Sequence, residues 1–285
     1  MTAFVIKSTE DGRNRFFQHT KRLNSNRQIL RPADDPIAAK RAIDHHKMMK
    51  ELETMSTNQG LVRSELLVAD VTLMDASGLV KEALELAIQM ASDAFNAGDR
   101  AAAANRIVEI RQELLSLANR QQPNGRYLFG GVNDSNPPYD PVTGAYLGSN
   151  TNREVEIAPS YHVAATLTGA ESFGDPEVIY STLQNLATAL TGNNMAGIQA
   201  SIDGIQTAIS DFAIAQAEVG SRLNAVSSAE LMVDDLSTHF ELRRGELRDV
   251  DIPSEITKLK ASEAALQASI DVSRQLLEVG LMSWR

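Results

Sequence analysis

Apolar residues recur along two long tracts of the chain in alternating steps of four and three. In the first, Met48, Leu52, Met55, Gln59, Val62, Leu66, Ala69, Leu73, Ala76, Val80, Ala83, Ala87, Met90 and Ala94 form one seam with a single polar member. A sustained period of 3.5 keeps one face of a helix against a partner and imposes a left-handed supercoil. Asp35 and Pro36 stand where an N-cap and a first helical turn belong. Gly98-Asp99 is expected to end this helix and cap the next, which runs from about 100 to 121 through Ala103, Ile107, Ile110, Leu114 and Leu117.

The second tract opens with Asp175-Pro176, again a cap followed by proline. A short helix through Leu183, Leu186 and Leu190 stops at Thr191-Gly192. A longer helix follows over residues 195–250. Its seam reads Ile198, Ile202, Ile205, Ile209, Phe212, Gln216, Val219, Leu223 and Val226, then takes Ala229 three residues on before Val233, Leu236 and Phe240. That slip is a stammer, which overwinds a coil locally. The two seam glutamines, Gln59 and Gln216, are expected to be solvated.

Between these tracts the composition changes. Residues 123–176 hold six of the nine prolines and seven of the seventeen glycines. Residues 37–122 and 177–252 contain no proline. Short strands are expected in this insert at Tyr127-Leu128-Phe129, at Val155-Glu156-Ile157 and over Tyr161 to Thr168, with a turn region from Gly144 to Gly148. The expected fold is mainly α: an elongated antiparallel helical bundle or coiled coil, discontinuous in sequence, carrying a small inserted β domain. The helical rod covers 36–122 and 177–251, and the insert covers 123–176. Length supports the shape, because a compact globule of this size has a radius of gyration of roughly 19 Å. The seam from Met48 to Ala94 alone spans roughly 70 Å.

The two ends, 1–35 and 252–285, carry weaker stripes and form a third, terminal-helix part. One stripe is Val5, Thr9, Gly12, Phe16, His19 and Leu23; the other is Ile256, Leu259, Glu263, Leu266, Ile270, Ser273 and Leu277. Isolated helices of this length are marginal in water, so each stripe needs the other or further subunits. Amphipathic ends of this kind suit head-to-tail contacts, which build open helical assemblies.

Composition narrows the chemistry. The chain is 43% apolar but 5% aromatic and has no cysteine, which fits helices packed at small-residue seams and removes disulfides, thiolate nucleophiles and Cys-ligated metals. The net charge of -10 disfavours nucleic acid as a partner. Residues 1–31 nevertheless carry +5, from Lys7, Arg13, Arg15, Lys21, Arg22, Arg27 and Arg31 against Glu10 and Asp11. They read as a solvated basic arm that pairs with acidic neighbours. No run approaches the 18 to 20 apolar residues of roughly one membrane span, and no signal-peptide pattern opens the chain. No phosphate loop, dinucleotide fingerprint, nucleophile elbow or zinc-protease motif is present. His45 and His46 diverge by roughly 100° on a helix and read as surface residues. Asp235 and His239 read as a surface pair, and Asp34-Asp35 as caps beside Pro36. Nothing points to a catalytic, cofactor or metal site, so an enzyme is not expected.

Three separated segments carry a family likeness. Leu23 to Ala39 resembles the amino-terminal signature of the flagellin superfamily, in the P-S-D-D-P-x-A-A form of its hook-associated branch. Asn124-Gly125 followed by Tyr127-Leu128-Phe129-Gly130-Gly131 is similar to that branch's N-G-x-Y-L-F-x-G segment. The run Asp249-Val250-Asp251-Ile252, then Glu255-Ile256-Thr257-Lys258-Leu259 and Ala265-Leu266-Gln267-Ala268-Ser269, resembles its carboxy-terminal pattern. Ala33 stands where the branch usually has serine, and Val279 to Arg285 departs from its leucine-rich tail.

The resemblance, to the hook-associated protein 3 (FlgL) family, implies a structural junction protein between the flagellar hook and filament, exported through the flagellar type III apparatus without signal cleavage and so extracellular. It also implies self-association in a ring seated on hook-associated protein 1, flagellin as the partner above, and an export chaperone that shields the ends. The assembly interface it implies is Val5, Phe16, Leu23, Ile256, Leu259, Leu266, Ile270 and Leu277. Flagellin itself is the nearest alternative; a helical signalling or membrane-surface protein is a more distant one.

Overall fold

The computed structural model describes residues 2–122, 124–173 and 176–282, and within them no side chain of residues 2–6, 176–177, 247–248 or 276–282. The elements of the described residues are α1 (Thr2–Ser25), α2 (Pro36–Met90), α3 (Ala97–Ala118), β1 (Glu154–Ala158), β2 (Tyr161–Ala164), α4 (Gly169–Phe173), α5 (Pro176–Thr191), α6 (Met195–Arg248) and α7 (Ile252–Met282). The described residues are thus mainly α with one two-stranded antiparallel sheet. It divides into two compact units, one of residues 1–52 with 235–285 and the other of residues 53–234.

In the second unit, every expected seam position of α2 from Val62 to Met90 is buried. α6 runs antiparallel to α2: Arg63 Nε donates to Glu230 Oε1 at 2.8 Å and Arg63 Nη2 to Ser227 Oγ at 2.8 Å, while Arg100 bridges the Met90 carbonyl at the end of α2 and Asn193 just before α6. Its buried line includes Ile198, Ile205, Phe212, Val219 and Val226, and continues through the stammer to Ala229 and Val233. α3 packs against α5.

The boundary between α2 and α3 differs from the expected one. α2 stops at Met90, leaving Ala94 exposed. The cap of α3 is Asn96, whose Oδ1 accepts from the N–H groups of Gly98 and Asp99, while Asp99 Oδ2 accepts from the Asn96 N–H. This reciprocal box satisfies orphan donors that glycine at Gly98 could not. Arg100, buried, closes the other side by donating to the carbonyls of Met90 and Ser92, each at 2.9 Å. The free carbonyls at a helix C-terminus favour such a cation. The cap expected at Asp175 lies outside the described residues. Asp35 caps α2 as expected, its Oδ1 accepting from Ile37 and Ala38, and Asp34 accepts from the Arg31 N–H at 2.9 Å.

Between α3 and α5, β1 and β2 pair antiparallel around a turn at Pro159-Ser160, with Ser160 at φ 61°. No strand forms at Tyr127-Leu128-Phe129. Tyr127 makes a single bridge to Gln121, and the chain then turns through Gly130-Gly131. A Cβ at Gly131 would meet the Ser149 carbonyl at 2.5 Å, and φ there is +62°, so this sharp return needs glycine. β2 ends at Ala164 instead of Thr168, because Thr168 turns to cap α4 through its Oγ1, which accepts from the Glu171 N–H.

The segment shares its core with the helices. Phe129, Tyr139 and Phe173 meet Tyr180 of α5 and Phe212 of α6 in a chain of tilted rings with centroids 5.2 to 5.9 Å apart. Gln59, expected to be solvated, is 2% exposed and donates to the Ile157 carbonyl of β1 at 2.6 Å. Asn58 donates to the neighbouring Glu156 carbonyl at 3.0 Å. A polar seam residue is therefore kept because the insert brings it a partner. Gln216 is half-buried, and Ala215 takes the buried position beside it.

Candidate assembly surface

The first unit is built around α1 and α7, which pack against each other. They run antiparallel: Thr9 Oγ1 lies 3.4 Å from Ser273 Oγ, Gly12 faces Leu266, and His19 Nδ1 lies 2.7 Å from Glu255 Oε1. A Cβ added at Gly12 would sit in ordinary contact, 3.6 Å from Leu266 Cδ1, so the two helices are closely apposed there. α7 starts where Asp251 accepts from the Ser254 N–H at 3.3 Å, with Pro253 in the first turn.

At the start of α7, Glu255 is 3% exposed and sits among three basic groups. Beside His19, Arg22 Nη1 lies 3.7 Å and Lys258 Nζ 3.7 Å from its carboxylate. Burial works to raise the Glu255 pKa, but the His19 hydrogen bond and the charges of His19, Arg22 and Lys258 prevail and hold it below the ordinary value of 4.5. The other basic residues of the arm, Lys7, Arg13, Arg15, Lys21, Arg27 and Arg31, are exposed.

The α1 stripe matches its expectation: Thr9, Gly12, Phe16, His19 and Leu23 are all half-buried. The α7 stripe is rotated. Leu259, Leu266, Ile270 and Ser273 are half-buried, but the inner line also takes Glu255, Ser262 and Ser269, while Ile256 is 40% exposed and Glu263 is exposed. Val5 lies on α1 and Leu277 on α7, with side chains outside the described ones. Glu255, Ser262 and Ser269 were not on the expected α7 stripe. Serines and a glutamate that turn inward are not flagged by hydrophobicity alone.

Little else in this unit is deeply buried. Among its described side chains, Leu52 and Val250 are the only buried apolar ones. Phe17, Ile37, Ile43, Leu242, Ile252, Ile256 and Val272 remain exposed. His45, expected at the surface, is half-buried with its ring 5.4 Å from that of Phe240; His46 is exposed. Asp235 and His239 are both exposed. No group of three or more His, Cys, Asp or Glu among the described residues is placed to hold a metal, and none of their helices is long and apolar enough to cross a membrane.

Amphipathic helices half-covered by each other, in a unit whose other apolar residues stay largely exposed, are suited to association. Comparison with known proteins points the same way. A family model for the bacterial flagellin N-terminal helical region matches residues 7–134. Flagellar hook-associated protein 3 of Salmonella typhimurium is 24% identical over 277 residues, covering 87% of this chain and 86% of that one. The crystal structure of Xanthomonas campestris FlgL superposes with a TM-score of 0.64 at 19% identity, covering 70% of this chain and 99% of that one. The flagellar filament 33 kDa core protein of Treponema phagedenis is 21% identical over 272 residues, 94% of this chain and 91% of that one. The chain is similar to the flagellin superfamily, with its likeness running to the hook-associated protein 3 branch, and is a component of the bacterial flagellum.

Proposed function

We propose that this chain is the structural junction protein between the flagellar hook and filament. In this reading it polymerises as a ring on hook-associated protein 1 and offers flagellin a matching surface above. It reaches its extracellular place through the flagellar type III route without signal cleavage, its ends shielded beforehand by an export chaperone. Residues 1–35 and 252–285 form the assembly part, 36–122 and 177–251 the helical frame, and 123–176 the insert. The role is mechanical, and no catalytic group or cofactor takes part.

The observation that carries this reading is the contrast between the half-buried α1–α7 pair and the exposed apolar residues around it. Burying those groups against neighbouring copies would gain about 25 cal/mol per Å² of apolar surface, which a free subunit forgoes. Phe16, Leu23, Leu259, Leu266 and Ile270 supply the face shared by α1 and α7. Ile256, exposed, is positioned to meet a neighbour. Val5 and Leu277 extend the same stripes towards the chain ends.

The test is replacement of Leu266 and Ile270 by aspartate. The double variant is expected to fold in residues 53–234, as seen by an unchanged main unfolding transition, and to be absent from isolated flagella. Normal incorporation would overturn the assignment of the stripe. The likeness to a filament protein keeps flagellin as the second reading. Purified chain that grows into long filaments unaided would favour flagellin; chain that stays soluble until hook-associated protein 1 is added would favour the junction.

A further inference from the structure

The solvent side of α2 within the second unit breaks the usual rule for a surface helix, whose outer face carries charge. Over Gly60 to Gly78 its fully outward line runs Gly60, Ser64, Leu67, Val71, Met74 and Gly78, again in steps of four and three, all six exposed and uncharged, before it continues into the charged Lys81 and Glu85. Leu67, Val71 and Met74 are 46%, 45% and 59% exposed. This is a second heptad seam, on the face that does not point into the core.

α6 of the same unit carries the matching line. Ile214, Ala217, Ser221, Asn224, Ser228 and Leu231 follow the same alternating steps, are exposed, and are also uncharged. The two lines complement each other in size. On α2 the bulk lies in the middle and glycine at both ends; on α6 the small residues lie in the middle and the bulk, Ile214 and Leu231, at the ends. Nothing lies within 4 Å of a Cβ built on Gly60 or Gly78, so both ends are open to receive a side chain. Each line is roughly 25 Å long at 1.5 Å per residue.

We propose that the α2 outer seam of one copy of this chain docks on the α6 outer seam of the next copy. This deepens the junction reading and rests on it, naming which surfaces of the second unit meet when copies assemble. Because the two seams differ, the contact is heterologous, and its repetition generates a ring or helical array in place of a closed dimer. The register follows. With the helices antiparallel, Gly60 receives Leu231 and Gly78 receives Ile214, which sets Val71 opposite Ser221 and Met74 opposite Ala217. Within one chain, Arg63 meets Ser227 and Glu230 in almost the same register. Adjacent copies therefore stand at the same level along α2.

The absence of native cysteine makes the test direct. Two full-length single variants, Val71→Cys and Ser221→Cys, are co-expressed in cells that make this protein, and isolated flagella are oxidised with copper. A disulfide-linked dimer should appear when both variants are present and with neither alone. Incorporation of both variants without that dimer, or a dimer from Val71→Cys alone, would overturn the seam assignment and leave the junction reading standing. Absence of the chain, wild type included, from flagella would overturn both.

Discussion

The two units of this chain use the same secondary structure to opposite ends. In residues 53–234 the seams of α2 and α6 meet α3, α5 and the insert, and core side chains from Val62 to Met90 are shut away from water. In the unit of residues 1–52 and 235–285, α1 and α7 cover only half of each other, and the apolar side chains around them stay exposed. Amphipathic helices therefore do not by themselves make a core; what matters is how many faces are covered. The polar residues follow the same division. Gln59 is sealed in by a strand that accepts its hydrogen bond, whereas Thr9, Ser273 and the serines of α7 line an interface that stays partly wet.

The largest effect should come from the aromatic chain in the second unit. Phe212→Ala is expected to cost about 3–5 kcal/mol in the main denaturation transition, because its ring is fully enclosed beside Phe173. Leu266→Ala, on a half-buried face, should cost under about 1 kcal/mol in the free chain. Equal losses would erase the distinction between the units. Next comes Gln59→Ala, which leaves the Ile157 carbonyl buried without its donor and should cost about 1–3 kcal/mol by the same measurement. A cost near zero would return Gln59 to the solvated role expected from sequence.

The smallest effect is electrostatic, and its sign differs between units. Glu255 titrates below its ordinary 4.5 in the folded chain, so its contribution is present above that pH and is lost as pH falls through the lowered value. Glu65 is the opposite case: burial raises its pKa and Arg153, 2.7 Å away, only partly offsets this. Its charge weakens folding above the raised value, and protonation on acidification relieves that cost. Below pH 4.5 the α1–α7 pair should therefore loosen before the second unit does, as followed by hydrogen exchange. Glu255→Gln should flatten that pH dependence. An unchanged acid response in the variant would place its origin elsewhere.

Much of this was legible in the sequence. The α2 seam, the Asp35 cap and the α1 stripe follow from spacing, because one buried face imposes one period. The α7 face was misread by a fraction of a turn: Ile256 and Glu263 were placed inward, but the helix turns Glu255 and Ser262 in. A hydrophobicity pattern treats serine and glutamate as outward-facing, and only the partner, with Gly12 opposite Leu266 and His19 opposite Glu255, reverses that. The expected strand at Tyr127 failed for a similar reason. Leu128 and Phe129 are buried and Tyr127 half-buried, but Gly130-Gly131 turns the backbone at once, so burial is achieved by a tight return.

If α1 and α7 gain their full burial only from neighbouring copies, hydrogen exchange on free and assembled chain will show it. In dilute monomer, amides of α1 and α7 should exchange at least about a hundredfold faster than those of α2 between Val62 and Met90, a difference of roughly 2.7 kcal/mol in local opening. In isolated flagella they should become as protected as that core. Terminal helices already as protected in the monomer as the α2 core, with no gain on assembly, would contradict it.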